Sequence, residues 1–461
     1  MTDRPRATKL VCTIGPASVD RVDELVEAGM DVARINFSHG TPERHAQTAR
    51  RVRQVASNAG RRVALMTDLA GPKIRLGDVP GGRLELAAGE RIVLGAGGTP
   101  VSYAALARDV RPGDRVLLAD GAAELRVVEA GDAVVAEVIR GGEIRSRAGV
   151  NVPAERLSTP SLTERDRADV PRALELGVDY VAQSFVRRAS DVEELRSLLG
   201  RDGPRIVAKI ETRPAVDDYD AICEAADAVM IARGDLGVEL PYERVPILQK
   251  QLLRHALDRG VPAIVATQML ESMVSAPRPT RAEASDVANA IFDGADAIML
   301  SGETAIGQFP VLAAQAAVRV AELCETDGRA YLPSGAPAAA RTDADALAVA
   351  AVALAHADAD VAAIACYTRS GRTARLLAAL RPHVPILAFS PDPRVVDQLA
   401  LVRGVEPRAC VPPEASDGRL SLMAWLVGES ALPDDSAVVL VASTAEPGTG
   451  PNLLEVHRVR R

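Results

Sequence analysis

Between Leu10 and Leu300 the chain repeats one pattern: a short, mostly apolar, β-branched run, then an amphipathic stretch. The runs are Leu10–Ile14, Val32–Phe37, Val63–Asp68, Tyr180–Phe185, Ile206–Ile210, Ala228–Ile231, Ala263–Gln268 and Ala297–Leu300. Helical stretches such as Val22–Ala28, Glu164–Leu176 and Val245–Arg259 lie between them. A strand with no polar face must be covered on both sides, and a parallel sheet wrapped by helices does this. About eight strand–helix units is the count that closes a parallel (β/α)8 barrel of the TIM type. An open doubly wound sheet is the alternative. It is disfavoured because neither G-x-G-x-x-G nor a P-loop follows the first run.

The alternation breaks twice. From Gly71 to Leu157 helical periodicity is lost, and short Val/Leu strands are punctuated by Pro80-Gly81-Gly82, Gly97-Gly98, Pro112-Gly113-Asp114 and Gly141-Gly142. That reads as a small all-β domain inserted after the third strand. Asp327–Arg341, rich in Gly, Pro, Ala and Ser, reads as a linker. Beyond it a helix at Ala346–Ala355 leads into strands at Val361–Tyr367, Ile386–Phe389 and Ala437–Ala442, a compact α/β domain. The expected division is 1–70 with 158–335 as barrel, 71–157 as insert and 336–461 as the last domain, in keeping with 461 residues at ~150 per domain. No internal repeat beyond the alternation is evident.

Composition narrows the partners. Aromatics make up 3% and the net charge is −8, which argues against base-stacking platforms and general affinity for nucleic-acid backbones. No apolar run approaches the ~18 residues of a membrane span, and residues 1–6 carry no signal core. The 5 cysteines are scattered without a C-x-x-C pair, which fits reduced thiols. A cytoplasmic protein is expected.

In a parallel barrel, chemistry gathers at the C-terminal strand ends. Strand two closes in Arg34 to Gly40, strand three in Asp68 to Arg75, strand five in Lys209-Ile210-Glu211, strand six in Arg233 to Gly237, strand seven in Thr267 to Ser272 and strand eight in Ser301 to Thr304. Glu211 and Asp235 are two hard ligands suited to Mg²⁺ or Mn²⁺. Lys209 faces the same side as Glu211, one step deeper, and Arg34 and Arg75 add fixed positive charge. A divalent metal with Lys and Arg suits a transferring phosphoryl group. Gly234 and Asp235 open a helical turn whose free N–H groups could hold a carboxylate.

These residues resemble the pyruvate kinase family almost end to end. The most specific stretches are Lys209-Ile210-Glu211, Met230 to Glu239, Ala266 to Met273, Pro277 to Asn289 and Asp296 to Thr304. The resemblance implies a TIM (β/α)8 barrel with an inserted small β-barrel lid domain and a C-terminal α/β regulatory domain. It implies phosphoryl transfer from phosphoenolpyruvate to ADP, giving pyruvate and ATP, in a homotetramer. By position, Lys209 would stabilise the phosphoryl group and the enolate, and Glu211 and Asp235 would bind the divalent metal. Arg34 would contact the substrate phosphate, and Gly234, Asp235 and Thr267 its carboxylate. Arg75, His39 and Asn36 would lie near the nucleotide, with a loop hydrogen-bonding role for His39 as the alternative. Thr267, with water and Ser301, would belong to the protonation path. A metal-dependent lyase acting on enolates and a catalytically dead metabolite sensor are the competing readings.

Several positions depart from the family pattern. Asn36, Ser38 and Asp68 resemble its monovalent-cation pocket, yet Lys73 stands where potassium-dependent members carry Glu. With Leu69 and Leu76, this implies that K⁺ is not required, because an ammonium can replace the ion. In the insert, Ala119-Asp120-Gly121 keeps one of two usual Asp residues, and Ala148, beside Arg147, replaces a common Lys. In the last domain, Thr368, Ser370, Gly371, Arg372 and Thr373, with Arg369 and Arg375, follow a strand and open a helix, a phosphate cradle. The resemblance makes it an effector loop for a sugar phosphate or AMP. Arg403 replaces an aromatic, and Gly448 to Asn452 keeps a glycine-rich tail loop.

Overall fold

The computed structural model describes residues 6–327, 330, 342–410, 427, 432–442 and 452–459. Eight parallel strands close into a barrel. They are β1 (Lys9–Thr13), β2 (Val32–Asn36), β3 (Ala64–Asp68), β4 (Tyr180–Gln183), β5 (Arg205–Ile210), β6 (Ala228–Ala232), β7 (Ala263–Ala266) and β8 (Ala297–Leu300). Each pairs with its chain neighbours, and β8 returns to β1. Side chains alternate. Leu10, Leu65, Val181, Ile206 and Val265 pack outward under the helices. Val11, Val32, Met66, Val207, Met230, Ile264 and Met299 fill the interior.

Two strands, β4 and β7, end two residues before their apolar runs do. Phe185 (φ 55°), Thr267 (φ 71°) and Gln268 (φ 54°) adopt left-handed conformations, which end the extended chain. Such strain in non-glycine residues gathers at functional rims.

The strand starts carry a repeat that periodicity had hidden. Asp31, Asp179, Asp227 and Asp296 each precede an even-numbered strand. Each carboxylate accepts from the N–H of an adjacent odd-numbered strand, at Leu10 (2.8 Å), Leu65 (2.7 Å), Ile206 (2.9 Å) and Ala263 (2.9 Å). Each also pairs with a guanidinium: Arg6 at 2.7 Å, and Arg53, Arg205 and Arg381 at 2.8 Å. A βαβ pair is therefore the repeating unit, and the reading of no repeat beyond simple alternation is corrected. A single Asp per unit is too sparse a signal for hydrophobic patterning to register.

Between β3 and β4 lies a five-stranded antiparallel sheet, Arg91–Gly95, Arg115–Leu118, Ala123–Ala130, Ala133–Arg140 and Val150–Asn151. A ribbon of Arg83–Leu86 and Gly142–Arg145 accompanies it. It has its own core, with Leu94, Val116, Leu118, Leu125, Val134 and Ile144.

The last unit is a five-stranded sheet. Val361–Tyr367, Ile386–Ser390, Val405–Ala409 and Ala437–Ala442 run parallel, and Leu453–Arg458 is antiparallel. Val405–Ala409 and Leu453–Arg458 escaped the apolar pattern because they are the sheet edges, where polar residues and Pro407 are tolerated. Its helix begins at Asp343, capped reciprocally by Thr342 and Asp345. Ala400 and Leu401 join the barrel's interior cluster, so this unit plugs the lower mouth. Arg403 is buried there, donating to Thr8 Oγ1 (2.9 Å) and Ala330 O (3.0 Å). Of the expected linker, only Asp327 and Ala330 lie within the described residues. The glycine-rich tail loop lies outside them except for Asn452.

Candidate active site

One pleat above the interior layer, five strands each aim a polar side chain inward: Thr13, Arg34, Asp68, Ser184 and Lys209 stand two residues past Val11, Val32, Met66, Ala182 and Val207. All five are buried, so their polar atoms must satisfy one another. Asp68 is the hub. Its Oδ2 accepts from Arg34 Nε at 2.8 Å, and its Oδ1 lies 3.3 Å from both Lys209 Nζ and Ser184 Oγ. Arg34 Nη1 also donates to Thr13 Oγ1 at 2.8 Å. Lys209 Nζ donates to Ser184 Oγ at 2.7 Å and lies 2.9 Å from Glu211 Oε1.

Charge follows from this geometry. Burial alone would lower the Lys209 pKa, but Asp68 and Glu211 outweigh it and hold the ammonium above the ordinary lysine range. Burial would raise Asp68, and Lys209 and Arg34 overcome it, keeping the carboxyl below the usual range. Burial raises Glu211, with Lys209 opposing and Asp235 reinforcing the shift.

Phe185 N donates to Glu211 Oε2 at 2.8 Å, which explains the strained turn at Phe185. Glu211 Oε1 has no partner in hydrogen-bonding geometry, although Lys209 is near. A buried carboxylate oxygen with an unused lone pair is suited to a cation. Among the described residues no group of three or more His, Cys, Asp or Glu could hold a metal. Glu211 and Asp235, two hard oxygen donors, would suit a divalent cation only if other oxygens supplied the rest of its shell. Both line a cleft of about 170 Å³ between barrel and insert, with Lys73, Arg75, Asp120 and Asn151.

The helix Arg233–Glu239 follows β6 at once. The expectation of a free N–H at Gly234 is corrected: it donates to Thr267 Oγ1 at 2.7 Å, and that hydroxyl donates to Ala266 O at 2.6 Å. Arg233 points away from the cleft's carboxylates, to Asp286 Oδ1 (2.7 Å) and Thr267 O (2.9 Å). A Cβ on Gly234 would meet Thr267 Oγ1 at 3.4 Å, so the two segments approach closely. Ser301 sits on the rim, its N–H bound to Glu303 Oε2 at 2.7 Å.

His39 is exposed beside β2, and burial, then Arg75, Lys73, Arg34 and Arg165, lower its pKa. Such converging positive potential suits polyphosphate. Asn36 Oδ1 accepts from Ser38 N at 3.0 Å. Lys73 lies 6.0 Å from the Phe185 ring centroid and influences Glu211 electrostatically. Arg147 is engaged elsewhere, in an ion pair with Asp78 at 3.0 Å.

Thr13, Ser184 and Phe185 were not singled out in sequence. The ends of the first and fourth runs went unread, although stepping two residues from Val11 and Ala182 finds the first two.

In the last unit, Thr368 is buried after its strand, and Gly371 (φ 77°) precedes the helix Arg372–Ala379. The Ser370 carbonyl accepts from Arg205 Nη2 (3.2 Å) and Arg375 Nη1 (3.3 Å), while Arg369 and Arg372 are exposed. This loop is thus tied to the start of β5.

Two family models match the chain. One describes the pyruvate kinase barrel domain, over residues 5–314, and the other the pyruvate kinase alpha/beta domain, over residues 345–457. Among curated relatives, the pyruvate kinase of Geobacillus stearothermophilus is 44% identical, covering 98% of this chain and 80% of that protein. That of Mycobacterium tuberculosis is 43% identical over 98% of both chains. A solved pyruvate kinase from Cryptosporidium parvum superposes with a TM-score of 0.88 at 35% identity, covering 98% of this chain and 96% of its own.

Proposed function

The chain belongs to the pyruvate kinase family, glycolytic transferases, and within the reaction that moves a phosphoryl group from phosphoenolpyruvate to ADP we propose the following roles. Arg34 binds the phosphate of phosphoenolpyruvate. Thr267, with the main-chain N–H groups of Gly234 and Asp235, holds its carboxylate, and the Gly234–Thr267 hydrogen bond gives way to it. Lys209 stabilises charge on the transferring group and on the enolate left behind. Arg75, His39 and Asn36 orient the nucleotide phosphates. Thr267 and Ser301 line the path by which a proton reaches the enolate carbon.

The family uses a divalent metal, and we assign Mg²⁺ or Mn²⁺ to Glu211 and Asp235. The bound ion supplies charge neutralisation at phosphoryl and carbonyl oxygens. The observation that carries this reading is the Lys209 ammonium, buried yet held charged between Asp68 and Glu211. Pyruvate formation from phosphoenolpyruvate and ADP, followed in a coupled assay with and without metal, tests it. Absence of metal-dependent turnover overturns it.

Turnover without K⁺ is expected. Both Asp68 oxygens are already engaged by Arg34 and Lys209, and Lys73 brings a further cation to the same wall. Wild type in K⁺-free buffer should turn over within about twofold of its rate with K⁺, whereas Lys73→Glu should become K⁺-stimulated, since an ammonium point charge is lost. Negligible wild-type turnover restored many-fold by K⁺ would refute the idea.

The remaining assignments rest on the same resemblance. The loop Thr368, Ser370, Gly371, Arg372 and Thr373 is the candidate site for a phosphorylated effector, a sugar phosphate or AMP. Residues 71–157 act as a lid over 1–70 with 158–335, and 336–461 carry regulation. No helix among the described residues is long and apolar enough to cross a membrane, in keeping with work in the cytoplasm. A homotetramer is the expected assembly, and a monomer by light scattering at micromolar concentration counts against it.

A further inference from the structure

The insert returns to the barrel through residues 152–157, and the main-chain N–H of Ala154 there donates to Glu239 Oε1 at 3.0 Å. Glu239 ends the same helix, Arg233–Glu239, that carries Gly234 and Asp235 near its start. Arg213, two residues beyond Glu211, lines a second cleft together with Glu239, Val238 and Pro153. One side chain thus faces the insert's return limb, the segment after β5 and the helix after β6. A second tie runs parallel to it: Arg115, on the insert's sheet, donates from Nη2 to Val238 O at 3.0 Å. Glu239 also forms part of the wall of the cleft that holds Glu211 and Asp235.

We propose that Glu239 is a positioning residue, stapling the return limb of the insert to the helix that bears Asp235, so that seating the insert and setting the carboxylate pair are one event. The proposal rests on the assignment of Glu211 and Asp235 as the metal pair. The Ala154 N–H on Glu239 and the Arg115 guanidinium on Val238 O both tie the insert to this helix, so loss of the carboxylate removes one of two adjacent ties. A side chain serving only the helix would make no contact with Ala154.

The test compares Glu239→Ala, Glu239→Gln and Glu211→Gln in the full chain. Equilibrium Mn²⁺ binding is measured by paramagnetic relaxation without substrates. Hydrogen exchange is followed over residues 152–157, with kcat and KM for ADP. Glu239→Ala should weaken Mn²⁺ binding ~10-fold, the effect of one well-placed hydrogen bond, speed exchange at 152–157, and lower kcat/KM for ADP by at least as much. Glu239→Gln keeps an oxygen acceptor for Ala154 and should stay within ~3-fold of wild type, since the hydrogen bond is retained. Wild-type Mn²⁺ affinity in Glu239→Ala, with Glu211→Gln unable to bind, overturns the staple and leaves the metal assignment standing. Mn²⁺ binding unaltered in Glu211→Gln overturns the metal assignment instead. Equal impairment of the Ala and Gln variants also overturns the proposal.

Discussion

Lys209→Met should lower kcat by ~10² or more while the protein keeps its fold, because an electrostatic stabiliser aimed at developing charge is worth that much. Methionine fills nearly the same volume on β5, so the packing of the interior layer survives. What is lost is the one ammonium that reaches Asp68, Ser184 and Glu211 together. That ammonium is buried, so the transferring charge meets it with little competition from water. KM for phosphoenolpyruvate should change much less than kcat, since the proposed ground-state contacts, Arg34 and the Thr267 segment, are left in place. Steady-state kinetics on the coupled assay decide the matter. A kcat near normal would remove Lys209 from the chemistry.

Asp68→Asn should damage both activity and stability. Asp68 pairs with both Arg34 and Lys209, and an amide takes the carboxylate from buried Arg34 and leaves Lys209 to Glu211 alone. Breaking a buried pair in this way costs about 3–5 kcal/mol. Misplacement of the two cations should lower kcat by ~10², as small displacements in a reacting site do. The pH dependence has a definite sign. The folded-state pKa of Asp68 is depressed, so its contribution is fully present above the unfolded carboxylate value of ~3.9 and is lost as pH falls through the lower folded value. The Tm gap between wild type and Asp68→Asn should therefore be widest near neutrality and close in acid. Phosphoenolpyruvate should narrow the gap at pH 7 by supplying the missing negative charge. Calorimetry across that range checks this. A constant gap, or no gain from the ligand, would mean that Asp68 acts only by packing.

The site was legible where a strand end is followed by contiguous charged residues, as at Lys209 to Glu211 or Arg233 to Asp235. It was illegible where a lone Ser or Thr closes an apolar run, as with Ser184 and Thr13, because a single hydroxyl beside a strand has no periodic signature. Glu239 has no reading of its own in the sequence, where it only closes the stretch Met230 to Glu239. Only the folding back of the insert brings Ala154 to it.

By itself, the sequence determined the barrel, the insertion after the third strand, the α/β unit and the charged rim. Those follow from local patterns: apolar runs that need cover on both faces, turn residues at fixed places, and side-chain alternation along a strand. Tertiary structure alone decided which charges meet. Asp68 lies 141 residues before Lys209 and 34 after Arg34, and barrel closure makes all three neighbours. It likewise set the Asp–Arg pairs at the lower mouth, where Arg381 of the last unit reaches Asp296 of the barrel at 2.8 Å. Pairing across such separations depends on strand register and on burial, which force each charge to find a partner and which no local pattern encodes.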